Sequence, residues 1–363
     1  MDPLPLPSGI TSRQIATDAG LDQHFLEAGD PTKPLLLLLH GFPELAFSWR
    51  HVMTPLAEAG YWVIAPDQRG YGRTTGWTPG YDIDLSEYSI PNRVRDAVAL
   101  IRALGRERVD GLLGHDYGAQ VARWAALIRP DVFLRTATMS SPFLGAPAIA
   151  RRRDPTHDDM LALDRPRKHY QWYYSERRAA GDMENAPQGV HDFLRAYFHM
   201  KSADWAGNAP FALDRWDAEN LAKMPTYYIM DAAEDMAETV AHHMPSGAQI
   251  AACTWMTPQE MEVYAAEYTR TGFQGALNSY RCGTSAAFNR DLSLYSGAQI
   301  KGPFMFIAGQ QDWGWAQVPG AIAAMEGGLC ADYRGTHLID GAGHWVQQEK
   351  PDEVVRLVLD FMA

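Results

Sequence analysis

Apolar residues in this chain cluster in short unbroken runs more often than they alternate. Leu35–Leu39 is an uninterrupted leucine run closed by His40-Gly41. Such a run suits a strand buried on both faces, because neither side meets water. Tyr61–Ala65, Val109–Leu113, Val132–Met139, Pro303–Ala308 and Thr336–Asp340 read as further strands. Between them, apolar residues recur at helical spacing. Ser48–Glu58 predicts a helix ended by Gly60, Arg93–Leu104 one ended by Gly105, and Ala119–Ile128 one stopped by Pro130. The chain closes on an amphipathic helix, Pro351–Met362. Alternation of strand and helix predicts the α/β class: a mostly parallel central sheet with helices on both faces.

The pattern changes over 144–298. This stretch is rich in Trp, Tyr, Met and charge, with helical spacing and no clear strand alternation. The simplest organisation is a core domain, 1–143 and 299–363, interrupted by a helical lid domain, 144–298. No internal repeat or low-complexity linker is visible.

Composition narrows the function. At 363 residues the chain suffices for one large α/β domain with an insertion, or for two ordinary domains. The formal net charge of -12 repels phosphate backbones, so nucleic acid is an unexpected partner. Cys253, Cys282 and Cys330 are too few and too scattered for a disulfide framework or a metal site, and read as inert thiols. Met1 to Ile10 lacks the basic start and apolar stretch of a signal peptide. The leucine run is too short to span a bilayer. No membrane insertion is expected, and a cytoplasmic location follows by default.

Gly114-His115-Asp116-Tyr117-Gly118 joins a strand to a helix. Its glycine spacing is that of a nucleophile elbow with Asp at the tip. Glycines allow the tight backbone crossing, and the helix amino end favours a carboxylate. Asp is also a favoured N-cap, so the pentapeptide alone leaves capping and nucleophilic attack both open. Other segments favour attack. His40-Gly41-Phe42-Pro43 follows the first buried strand, where the Phe42 N–H, with that of Tyr117, can meet a developing oxyanion. Asp312 ends a late strand, and His344 lies in a Gly-rich loop after the last one. Nucleophile, acid and histidine then follow in α/β-hydrolase order. In these roles His344 takes a proton from water and Asp312 orients and stabilises the ring. No Ser stands at the tip, which excludes an ordinary serine esterase.

With these residues the chain resembles the epoxide hydrolase and haloalkane dehalogenase branch of the α/β-hydrolase superfamily. The resemblance rests on His40-Gly41-Phe42-Pro43-Glu44, Asp67-Gln68-Arg69-Gly70-Tyr71-Gly72, the elbow, Asp312 and Gly343-His344. It implies that Asp116 attacks carbon to form an ester that water then clears, and that a cis bond precedes Pro43. It also implies two lid tyrosines that hydrogen-bond the epoxide oxygen. Lys168–Tyr174 resembles the early lid segment and gives Tyr170, with Tyr173 and Tyr174 competing for the role. Gly272–Arg281 resembles the late one and gives Tyr280, with Ser279 where an aromatic is expected. His40, Pro43, Trp172 and Trp345 are then expected at the substrate. The implied substrates are a small apolar epoxide and water, with no cofactor and no metal.

Dehalogenation is the alternative, echoed by His169 and Trp172. However, Tyr117 stands where dehalogenases of this branch carry Trp or Arg, and Gln120 lies one helical turn beyond Asp116. Arg123 reads as a solvated charge, and the segment from Tyr227 to Pro245 carries no role. A non-enzymatic binder on the same fold is the third reading. The oligomeric state stays open, a homodimer included.

Overall fold

Burying both sides of a leucine run takes two layers of helix, and the chain supplies them. The computed structural model describes residues 3–149 and 154–363. Met1 and Asp2, at the start of the segment read for a signal peptide, lie outside them. In chain order the strands are β1 Ile10–Ala16, β2 Asp22–Ala28, β3 Leu35–Leu39, β4 Trp62–Pro66, β5 Gly111–His115, β6 Thr136–Met139, β7 Arg167–His169, β8 Ile229–Asp231, β9 Ile300–Gly309 and β10 Cys330–Ile339. Eight of them form the main sheet in the order β1-β2-β4-β3-β5-β6-β9-β10. From β4 to β10 neighbouring strands run parallel; β1 and β2 add an antiparallel edge.

Alternate side chains of β3 enter opposite cores. Leu36 and Leu38 pack with Val52, Met53 and Leu56 of the Arg50–Glu58 helix and with Val354, Leu357 and Val358 of the Pro351–Met362 helix. Leu35, Leu37 and Leu39 face the Ile90–Ala103 and Tyr117–Ile128 helices. The predicted strands and helices are all present, with ends shifted by a few residues. The antiparallel β1 and β2 were not foreseen. Most β1 side chains are exposed, so it shows no buried run.

Register decides where the site lies. Leu39 pairs with Gly114, His115 with Met139, Met139 with Ile307, and Ile339 with Gly309. The carboxyl ends of β3, β5, β6, β9 and β10 therefore share one edge of the sheet. In parallel α/β sheets that edge is where ligands bind.

Between β6 and β9 the chain is mainly helical, as expected. It also holds the short antiparallel pair β7–β8, too brief to show a period-2 pattern. The longest helices here are Gly189–Lys201, Pro258–Thr271 and Gln274–Thr284. Thr257 and Glu260 close a capping box that starts the second of these. The insertion is bound to the core at several points. Arg50 Nε donates to Glu260 Oε1 at 2.6 Å, and Arg73 Nε to Glu267 Oε1 at 2.7 Å. Among the described residues no helix is long and apolar enough to cross a membrane.

Close backbone contact at the elbow depends on glycine. A Cβ at Gly118 would collide with the Leu39 and His40 carbonyl oxygens. Gly118→Ala is expected to cost about 3 kcal/mol of stability in urea unfolding, since overpacked backbone cannot retreat. An unchanged unfolding midpoint would contradict this packing.

Candidate active site

Asp116 sits between β5 and the Tyr117–Ile128 helix with φ 51° and ψ −115°, a left-handed backbone for a residue with a side chain. Its side chain does not cap the helix. Instead, Asp116 Oδ1 accepts the Phe42 N–H at 3.0 Å, and Oδ2 lies 3.4 Å from His344 Nε2. The bond between Phe42 and Pro43 is cis. His344 Nδ1 faces Asp312 Oδ1 at 3.1 Å and Ser140 Oγ at 2.8 Å. Asp312 is fixed in turn by the Gly314 N–H at 2.7 Å. The nucleophile, acid and histidine read from sequence thus meet in one place.

Burial disfavours charge on Asp116, but the His344 ring when protonated, Lys201 and His115 outweigh it and hold the carboxyl well below the usual carboxylate range. Burial likewise opposes an ionised Asp312, and His344, Ser140 and the Gly314 N–H lower it. Both carboxylates are therefore ionised at neutral pH.

A second histidine lies beneath the first. His115 Nε2 meets the His344 carbonyl at 2.7 Å, and Nδ1 meets Glu44 Oε2 at 2.6 Å. A carbonyl only accepts, so Nε2 carries hydrogen, and Nδ1 donates to the carboxylate. His115 and Glu44 form a fully buried ion pair. Burial pulls His115 down, and Glu44 more than restores it. Glu44 also accepts from Gln347 Nε2 at 2.7 Å and Gln348 Nε2 at 2.9 Å.

Above the carboxylate lies an aromatic shell from the insertion. Phe42 meets Tyr174 at 5.2 Å and Tyr280 at 5.8 Å between ring centres. Three candidate tyrosines separate by their partners. Tyr173 donates to Asp182 at 3.0 Å, and Tyr174 donates to the Tyr197 hydroxyl at 3.0 Å. Among the described residues the Tyr170 hydroxyl only accepts, from Gln171 at 3.1 Å, so its own proton is not engaged by any of them. No described residue bonds the Tyr280 hydroxyl. Tyr170 and Tyr280 rings lie 6.1 Å apart, and the Asp116 charge bears on both.

Several expectations need correction. Trp172 is 43% exposed and stacks on His157, so it leaves the aromatic shell. Both ring nitrogens of His40 are taken by main chain, Nδ1 by the Gly41 carbonyl and Nε2 by the Gln68 N–H, leaving none for substrate. The Trp345 indole donates to the Phe198 carbonyl at 2.8 Å and packs against the His344 ring, which makes it a brace for the histidine. Arg123 is buried: it donates to the Ser141 and Pro142 carbonyls, and burial pushes its pKa down to about 9. Pro43 is buried in the turn beside the elbow.

The segment with no assigned role turns out to build the site. β8 pairs with β7, and the Tyr228 carbonyl accepts the Tyr170 N–H at 2.8 Å, which sets the start of the Tyr170–Tyr174 helix. Ser279, where an aromatic was expected, offers its carbonyl to the Tyr117 hydroxyl at 3.1 Å. Sequence reading missed Ser140, the Glu44–His115 pairing and Lys201. The last lies at the carboxyl end of the Gly189–Lys201 helix, where a cation reads as an ordinary complement to the helix dipole. Its Nζ in fact lies 3.1 Å from His344 Nε2.

Comparison with known proteins places these observations. A family model described as the alpha/beta hydrolase fold matches residues 34–238. Epoxide hydrolase A of Mycobacterium tuberculosis is 33% identical over 360 residues, covering 98% of each chain. An epoxide hydrolase of Caballeronia sordidicola is 30% identical, covering 98% of this chain and 95% of its own. Among solved structures, an epoxide hydrolase from an endophytic Streptomyces superposes with a TM-score of 0.80 at 30% identity, covering 98% of this chain and 96% of its own. Potato (Solanum tuberosum) epoxide hydrolase I gives 0.74 at 29%, covering 97% and 99%. These likenesses do not favour the halide-releasing alternative.

The buried ion pair has a pH signature. The Glu44 carboxyl is lowered from 4.5: burial opposes its charge, and His115 overcomes that. A depressed carboxyl contributes stability above 4.5 that is lost as acid protonates it. A raised histidine contributes below 6.5 and loses that contribution as pH climbs through its folded value. Glu44→Gln is therefore expected to lower stability by about 3 kcal/mol between those pH values. The gap to the parent should narrow in stronger acid and in base. Urea unfolding of both proteins across pH checks this, and a gap independent of pH would contradict it.

Proposed function

The chain belongs to the epoxide hydrolase family of the α/β-hydrolase fold, and we propose that it opens an epoxide to a vicinal diol with Asp116 as the nucleophile. The supporting observation is the division of labour on that carboxylate. Oδ1 is occupied by the Phe42 N–H, while Oδ2 faces the His344 side. Oδ2 is the oxygen left to attack.

In the first step Oδ2 bonds to an epoxide carbon and that carbon's bond to the ring oxygen breaks. The oxygen takes the electron pair and needs a proton. Tyr170 and Tyr280 supply hydrogen bonds and that proton. Burial raises both hydroxyls, so each holds its proton until an alkoxide forms beside it.

In the second step water attacks the ester carbon. His344 Nε2 takes its proton, and Asp312 stabilises the imidazolium. Charge passes to Oδ1, in the oxyanion hole of the Phe42 and Tyr117 amides. Collapse breaks the bond from the ester carbon to Oδ2. The departing alkoxide takes the proton back from His344, and the second proton of water, left on the new Asp116 carboxyl, returns to the tyrosinate, so the enzyme is restored with a new oxygen from water. The 144–298 stretch acts as a lid that supplies the tyrosines. A small apolar epoxide suits the aromatic shell. No step needs a cofactor.

Two experiments test these assignments. In a single turnover in 18O-labelled water, the first diol should carry no label, because its new oxygen is Oδ2. Label in that first product would contradict the ester. Tyr170→Phe and Tyr280→Phe should each reduce kcat by about 10- to 100-fold, whereas Tyr174→Phe, its hydroxyl bound to Tyr197, should leave kcat near the parent. Equal losses in all three would overturn the tyrosine assignment.

A further inference from the structure

A buried charge beside His344 has no part in the reaction above. Lys201 is 2% exposed, with Nζ 3.1 Å from His344 Nε2. The Lys201 carbonyl also accepts the His344 N–H at 2.9 Å, so one residue grips the histidine by both backbone and ring. Four aromatic rings surround the ammonium: Tyr197 at 5.2 Å, Tyr227 at 5.9 Å, Tyr228 at 5.0 Å and Trp345 at 5.3 Å. Ring faces stabilise a cation. Burial holds the Lys201 amine below its ordinary value, and Asp116, Asp312 and Glu44 only partly oppose that.

An ammonium donates and never accepts. The atom that meets it at 3.1 Å therefore presents a lone pair. That puts the ring's single proton on Nδ1, facing Asp312 and Ser140. Without the lysine, His344 would lie between two carboxylates, Asp116 at 3.4 Å and Asp312 at 3.1 Å. Negative charge on both sides favours an imidazolium, which cannot accept a proton from water. Of the other charges nearby, His115 and Glu44 pair with each other beneath the His344 carbonyl, and Glu349, pushed up by burial to about 7, accepts the Gly343 and Trp345 N–H groups on either side of the histidine. Tyr170, Tyr197, Tyr227, Tyr228 and Tyr280 stay neutral because burial raises them all.

We propose that Lys201 is a positioning residue for ester hydrolysis: its caged ammonium keeps His344 neutral, with the ring proton on Nδ1 and the lone pair on Nε2. The proposal rests on His344 being the base. Alkylation removes the charge of Asp116 and leaves the ammonium opposed mainly by Asp312. Water then takes the place of the ammonium at the Nε2 lone pair and loses a proton to it as its oxygen bonds to the ester carbon. The new imidazolium is repelled by Lys201, which speeds return of that proton to the departing alkoxide.

Lys201→Met removes the charge and keeps an apolar stem, while Lys201→Arg keeps the charge. Rapid-quench mass spectrometry separates formation of the alkyl-enzyme from its breakdown. In Lys201→Met, formation should persist. Breakdown at pH 7 should slow by about tenfold, and its acid limb should move up by about one pH unit. Lys201→Arg should keep the parent limb. Equal slowing at every pH, or the same displaced limb in both variants, would overturn the proposal. A second measurement needs no variant of Lys201. Nitrogen-15 NMR of histidine-labelled parent enzyme, with His344→Gln to assign the signal, should show a neutral ring protonated at Nδ1 at pH 7. An imidazolium signal there would overturn the proposal even if the lysine variants failed to fold. Failure of the Asp116 reading would look different: the parent itself would form no covalent adduct.

Discussion

A left-handed backbone costs a residue with a Cβ about 1–3 kcal/mol, and Asp116 holds one at the end of β5. Ser140, at the end of the neighbouring β6, holds the other non-glycine positive φ among the described residues. Both strained residues touch the same histidine: Asp116 lies on its Nε2 side and Ser140 on its Nδ1 side. The strain persists because the surroundings leave no room to relax. Gly41 packs against the Asp116 side chain, Gly114 against the Gly118 backbone, and Gly118 against the end of β3. Parallel register then sets every other group relative to that bend. A slip of one residue in β5 would turn Asp116 away from Phe42 and His344.

Charge is arranged in alternation around this bend. Asp116 and Asp312 flank His344, Lys201 lies above Nε2, and the His115–Glu44 pair lies below the His344 carbonyl. Each charge is costly to bury alone, and each here has a partner of opposite sign or a direct hydrogen bond. The insertion contributes to this order. Glu349 accepts the Gly343, Trp345 and Ala203 N–H groups, which ties the His344 loop to the chain just beyond Lys201. The insertion and the His344 loop are therefore held as one unit, and the low dielectric of the aromatic shell strengthens their electrostatics.

What the sequence shows depends on how local each signal is. The β3 leucine run, the elbow glycines and the strand-end Asp312 and His344 are local patterns with backbone causes, and all of them meet in the folded chain. Tyr280 and Tyr170 came from likeness to lid segments. Only the hydrogen bonds of Tyr173 to Asp182 and of Tyr174 to Tyr197 set Tyr170 apart from its neighbours. Lys201 was hidden because its meaning comes from elements far apart in the chain, with Tyr197, Tyr227, Tyr228 and Trp345 brought round one atom. Trp172 and His40 misled for the converse reason. A motif names a residue type, but free hydrogen-bonding atoms and exposure decide its use, and His40 has no ring nitrogen to spare.

The most direct test of the account is to stop the reaction between its two halves. His344→Gln removes the proposed base while leaving Asp116, Phe42 and the tyrosines in place. After mixing with an epoxide, denaturing mass spectrometry and peptide mapping should find the full mass of the substrate added to the peptide that contains Asp116. An unmodified protein, or an adduct on any other residue, would contradict the account.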